Sequence, residues 1–186
     1  MPRTLVPVNI RPHLVPFLFQ EFQGTEAHLH GRKLKAVKVS TRNYFGKLIR
    51  LLAKKSDKPA ACDKRYAIFL SIAEEERRIE CFGKVYRYAD GRNSFLHIPE
   101  EGVVMINEYL EGLFRNSCLF FLDGWVAKQG EEGLNIGILK FIDKYRLLEF
   151  GFDPDSMRRN YYRWKKEDSR LKFITVQSSN QVHNYA

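Results

Sequence analysis

Between Met157 and Lys166 the chain sets out cations at the spacing by which a helix gathers them. Arg159, Arg163 and Lys166 recur at i, i+4 and i+7, and Arg158, Tyr162 and Lys165 form a neighbouring row. Met157, Tyr161 and Trp164 repeat in the same way and make an apolar stripe. A helix that buries this stripe presents five cations and a tyrosine to solvent. That surface suits nucleic acid: an arginine fork can read a guanine edge or grip a phosphate, and a lysine meets phosphate as a point charge.

A second arrangement also bears on chemistry. His28 and His30 flank Leu29, so a strand would hold both imidazoles on one face, as metal ligands could be held. With Tyr161 and Tyr162 far downstream, the layout resembles that of rolling-circle replication nickases and relaxases. There the resemblance implies a metal that polarises a phosphate and a tyrosine that attacks it. No third ligand is evident, although His13 or a glutamate could serve, and Tyr161 lies on the stripe assigned to the core. The preferred reading makes His28 and His30 ordinary residues beside a turn at Gly31.

Other chemistry is not spelled out. The GKLIR run at Gly46 lacks the first glycine and the hydroxyl residue of a phosphate loop, and no nucleophile elbow or His-Glu-x-x-His occurs. The acids at Glu74 to Glu76 and at Glu100-Glu101 read as turn and helix-start residues. Cys62, Cys81 and Cys118 are odd in number and lack zinc-ligand spacing, which leaves buried thiols as the expectation. The chain is therefore expected to be no enzyme and to need no metal or cofactor.

The basic helix has a clear start. Asp153 is a good N-cap, Pro154 fits the first helical position, and Asp155 puts an acid in the first turn. Before it, Ile138, Ile142 and Tyr145 form a stripe that Leu139 widens. Asn135 is expected to cap that helix after a break at Gly133-Leu134, and the connection over residues 147–152 carries Gly151. The segment KFIDKYRLLEFGFDPDSMRRNYYRWKK resembles the helix-turn-helix segments of bacterial regulators and mobile-element proteins. The resemblance implies DNA as the partner.

Charge supports a polyanion partner. The net charge is +9, yet residues 1–56 hold 11 Lys+Arg against 2 acids, residues 57–134 hold 10 against 14, and residues 135–186 hold 10 against 6. Apolar content of 44% and charged content of 28% are those of a globular protein. No apolar run reaches a membrane span and no leader pattern is present, so a cytoplasmic protein is expected.

The remaining elements follow from pattern. Residues 4–10 read as an edge strand because Pro7 cannot donate to a ladder. Residues 12–22 read as a short buried helix or an irregular apolar segment, and residues 27–40 as one or two strands. Residues 41–55 read as a helix with Tyr44, Phe45, Leu48, Ile49, Leu51 and Leu52 inside. Its outer face, with Arg42, Lys47, Arg50, Lys54 and Lys55, is a second candidate for phosphate contact. Residues 66–72 read as a central strand. Residues 78–88 and 94–98 read as strands joined at Asp90-Gly91. A helix opens at Pro99, and a separate one covers residues 120–128.

The expectation is an α+β fold with a small antiparallel sheet packed with helices. It comprises a body over 1–130, a helix-turn-helix-like module over 131–172 and a tail over 173–186. The expected function is DNA binding without catalysis, regulatory or accessory to replication or transfer of DNA, with no membrane or small-molecule partner and with a homodimer allowed. The alternative is a structural or protein-interaction domain with a solubilising positive face.

Overall fold

In TLVPVNI alternate residues are apolar, which gives a strand one face to bury, and Val6 and Val8 are buried in β1 (Arg3–Asn9). The computed structural model describes residues 3–22, 24–29, 32–40, 42–56, 67–73 and 95–166. After β1 comes α1 (Leu14–Glu21), with Leu14, Phe17 and Leu18 inside and Pro16 in its first turn, where a missing N–H costs little. β2 (Gly24–Leu29) and β3 (Arg32–Lys38) pair antiparallel, Ala27 opposite Leu34.

The helix α2 (Tyr44–Leu52) is shorter than its sequence suggests. Asn43 caps it, its side chain accepting from the Gly46 N–H at 2.7 Å. The helix stops at Leu52 because the next residues pair elsewhere: β4 (Lys54–Ser56) matches Lys54 to His97 and Lys55 to Leu96 of β6 (Phe95–His97). Arg42, Lys54 and Lys55 thus fall outside the helix. Tyr44 and Leu51, expected inside, are 81% and 63% exposed.

The main sheet has the order β1-β5-β3-β2, where β5 is Ala67–Ala73. β1 is an edge strand, which tolerates Pro7, and β5 is interior, as its uniformly apolar run requires. The sheet is mixed rather than antiparallel. β5 pairs antiparallel with β1, Val6 opposite Leu70, but parallel with β3, Val37 opposite Leu70. The chain between β3 and β5 passes through α2, and a connection of that length permits the parallel return that a tight hairpin cannot make. The expected strand over 78–88, the turn at Asp90-Gly91, Cys62, Cys81, His30, Gly31 and the tail over 173–186 lie outside the described residues.

The last part of the chain is helical. α3 (Glu100–Tyr145) starts with Glu100 and Glu101 in its first turn and runs without a break through residues 115–119, so residues 120–128 are no separate helix. The apolar positions Ile106, Leu110, Phe114, Cys118 and Leu122 recur at helical spacing and are all buried, which explains the continuity. The break comes at Gly130 (φ 68°, ψ −158°), a conformation nearly restricted to glycine. Beyond it the second arm runs back along the first, with the Phe141 ring 5.5 Å from Phe121 and 5.7 Å from Phe114. Gly133 and Gly137 permit the approach, since a Cβ at Gly137 would meet the Trp125 side chain at 3.0 Å. Asn135 and Gly133 are therefore inside a helix, not at its start, and Leu139 is 57% exposed instead of widening the buried stripe.

A 3-10 turn (Leu147–Phe150), set between left-handed Arg146 and Gly151, leads into α4 (Pro154–Lys166). By compactness the chain divides into two units, Met1–Leu110 and Glu111–Ala186, and α3 contributes to both. In the first unit the Asn107 amide ties the start of α3 to the end of β1. It donates to the Asn9 carbonyl at 3.0 Å and accepts from the Arg11 N–H at 2.8 Å. The second unit holds three helical segments around Phe114, Phe141, Tyr145, Tyr161 and Trp164, all buried. No helix among the described residues is long and apolar enough to cross a membrane.

Candidate nucleic-acid interface

α4 is built from its first residue as the sequence dictates. The Asp153 carboxylate accepts from the Ser156 N–H at 2.7 Å, and the Met157 N–H closes the first helical bond on the Asp153 carbonyl at 3.0 Å. The hydrogen bond from Ser156 chiefly, with help from the Asp155 N–H and the Arg159 charge, holds the Asp153 carboxyl below its ordinary range. Met157, Tyr161 and Trp164 are buried, at 0%, 1% and 3% exposure. Trp164 meets Phe114 edge-on at 6.5 Å, and the Arg115 guanidinium lies 5.6 Å from its ring centre.

Arg158, Arg159, Tyr162, Arg163, Lys165 and Lys166 all lie at exposed positions, but they divide into two rows with different surroundings. The row Arg158, Tyr162, Lys165 borders the buried stripe and is fastened to α3. Arg158 donates to the Asn135 side-chain oxygen, and the Tyr162 hydroxyl donates to Glu131 at 3.0 Å. Lys165 donates to the Tyr161 hydroxyl at 3.0 Å and lies 3.6 Å from the Asp123 carboxylate. Tyr161 in turn donates to Asp123 at 2.6 Å. The Tyr161 bond raises the affinity of Lys165 for its proton, and the Glu131 bond does the same for the Tyr162 phenol. Burial, then the bond to Asp123, raises Tyr161.

The second row, Arg159, Arg163 and Lys166, lies next to it on the face of α4 opposite the buried stripe. Arg163 donates to the Asn160 side-chain oxygen of its own helix at 2.8 Å. A ligand could meet this row without breaking any of the bonds that hold α4 to α3. Asp123, Glu131 and Asn135 were not legible as partners, because 38, 31 and 23 residues separate them from Tyr161, Tyr162 and Arg158.

The second set of sequence candidates belongs to the first unit. Arg42 is exposed just before α2, and Lys47 is exposed with its ammonium 5.5 Å from the Tyr44 ring centre. Arg50 is half-buried, and Lys54 is exposed on β4. His28 lies on β2 with its backbone opposite Lys33. Among the described residues no group of three His, Cys, Asp or Glu is placed to hold a metal. No protein-family model, no curated protein and no solved structure matches the chain.

Proposed function

We propose that the protein binds DNA without catalysis, in a regulatory role or as an accessory to DNA replication or transfer. In this reading the second unit acts as a helix-turn-helix-like module in the cytoplasm, and α4 is its contact helix. The observation that carries the reading is the division of α4, with an apolar stripe inside, one row tied to α3 and, beside it, a row of Arg159, Arg163 and Lys166 opposite the stripe. Three helical segments with a capped, basic third one also fit the plan in which the last helix enters the major groove. Arg159 is then nearest the bases, and Lys166, about 10 Å further along, meets phosphate. No cofactor is needed.

The test is a titration of duplex DNA at several salt concentrations. Neutralising about five phosphates gives a log–log slope of roughly −4 to −5. Arg159→Ala should cost about 1–3 kcal/mol on a preferred site, and Lys166→Ala should weaken all sequences alike and shallow the slope by about one unit. Micromolar protein that shifts no DNA at ~50 mM salt would overturn the reading. One observation favours the protein-interaction alternative: Ile136, Leu139 and Leu148 are 42%, 57% and 64% exposed. Self-association that Leu139→Ser abolishes, in a protein that ignores DNA, would establish that alternative.

A further inference from the structure

The outward row of α2 is not purely cationic. Tyr44, Lys47 and Leu51 fall at i, i+3 and i+7 and share one face, with Tyr44 81% and Leu51 63% exposed. A phenol ring that exposed contributes little to the core, and its near neighbour is the Lys47 ammonium. The surrounding sequence carries a single sign. Residues 27–56 contain nine Lys or Arg and no Asp or Glu. Of these, Lys33, Lys35, Lys38, Arg42, Lys47, Lys54 and Lys55 occupy exposed positions, and Lys33 pairs with Glu26 at 2.7 Å. Surfaces ordinarily mix signs, and thirty residues without an acid point to a polyanion.

The tyrosine narrows the class of polyanion. An exposed ring among cations offers a stacking platform, and base faces are free to stack only where the strand is unpaired. A protein partner would need a continuous apolar patch, whereas here a lysine separates the two apolar side chains. We propose that the α2 row, flanked by Arg42 and Lys54, is a binding surface for single-stranded nucleic acid. One base stacks on Tyr44, and Lys47 and its neighbours meet the phosphates. This rests on the nucleic-acid reading above and adds a second surface and the form of strand it takes.

The experiment uses the full chain, a labelled oligothymidylate and a duplex of the same length, with binding read by fluorescence anisotropy. Tyr44→Ala should weaken single-strand binding by about 5- to 150-fold, the range set by stacking one base on one ring, and leave the duplex unchanged. Tyr44→Phe keeps the ring and should retain the affinity. Lys47→Gln should shallow the single-strand salt slope by about 0.7. Tyr44 is exposed, so these variants should fold, and circular dichroism checks that they do. Unchanged single-strand binding in Tyr44→Ala, or an equal loss on both probes, would overturn the proposal. Duplex binding lost in Arg159→Ala, with no single-strand binding at all, would overturn it and leave the α4 reading standing. Single-strand binding that depends on Tyr44, with the duplex ignored, would sustain it and remove the α4 reading. Self-association abolished by Tyr44→Ala, with neither probe bound, would assign the face to a second copy and overturn it.

Discussion

Tyr161→Phe removes one oxygen atom and leaves the buried ring in place. That hydroxyl donates to Asp123 at 2.6 Å and accepts from Lys165 at 3.0 Å, so it sits between the two charges that attach α4 to the first arm of α3. A hydrogen bond to a charged group contributes about 1.5–3 kcal/mol. Two features reduce that figure. The Asp123 and Lys165 side chains are 24% and 47% exposed, so water can replace part of the lost bond. Lys165 already lies 3.6 Å from Asp123 and can close on it when the hydroxyl is gone. The expected loss is therefore about 1–2 kcal/mol, or a melting temperature lower by about 2–8 °C for a chain of this size. Trp125 and Trp164, the two tryptophans of the chain, both belong to Glu111–Ala186, so tryptophan fluorescence during urea titration follows that unit alone. The midpoint should fall with the slope unchanged. A loss below about 0.3 kcal/mol would refute the reasoning, because it would mean that the bond only replaces equal hydration.

Trp164→Ala should cost about 3–5 kcal/mol by the same fluorescence titration, read from Trp125, whereas Arg159→Ala should stay within about 0.5 kcal/mol. Gly124→Ala and Gly130→Ala should move the midpoint in opposite directions although a Cβ has open space at both. The first, in regular helix, should gain about 0.4–1 kcal/mol, and the second, at φ 68°, should lose about 1–3 kcal/mol. The Asp153 carboxyl titrates below its ordinary 3.8 in the folded chain. Its stabilisation is thus present above that value and is lost as pH falls through the depressed one. Asp153→Asn should remove this share of the acid sensitivity in urea midpoints measured over about pH 2–5. Cys118 is fully buried and its thiol is pushed up to about 12. Peptide mapping should find it alkylated only after denaturation.

What the sequence disclosed was what local rules determine. The start of α4 lies in three adjacent residues and its rotation in one stripe, so cap, buried face and exposed cations could all be read without a partner. The fate of Lys54 and Lys55 could not. Both are acceptable in a helix, and only pairing with Leu96 and His97, far along the chain, draws them into a strand. The parallel pairing of β3 with β5 was hidden for the same reason, since each strand's pattern is the same in either direction. At the helix reversal two glycines compete, Gly130 and Gly133, and spacing alone does not choose. The backbone turns at Gly130, while Gly133 with Gly137 lets the returning arm approach Trp125. That pair, four residues apart, is a legible sign of close helix packing, whereas Gly133-Leu134 taken alone suggests a boundary.

The placement of charge bears on how the two proposed surfaces would share their work. Met1–Leu110 holds 19 Lys+Arg against 12 acids, and Glu111–Ala186 holds 12 against 10. The second unit is thus nearly balanced, and part of its positive charge is answered at short range by Asp123, 3.6 Å from Lys165. Counterion release scales with phosphates neutralised, so most of the salt dependence should belong to the first unit even if α4 reads the bases. Substitutions at Arg42, Lys47 and Lys54 should then lower single-strand affinity with little change in preference among sequences. Substitutions at Arg159 and Arg163 should lower duplex affinity on a preferred site and flatten the preference among sequences. A selection from random duplexes, run in parallel with salt titrations of both sets of variants on duplex and single strand, separates the two. If the α2 variants alone lose affinity and no variant alters preference, α4 is a structural helix whose outer row keeps the second unit in solution.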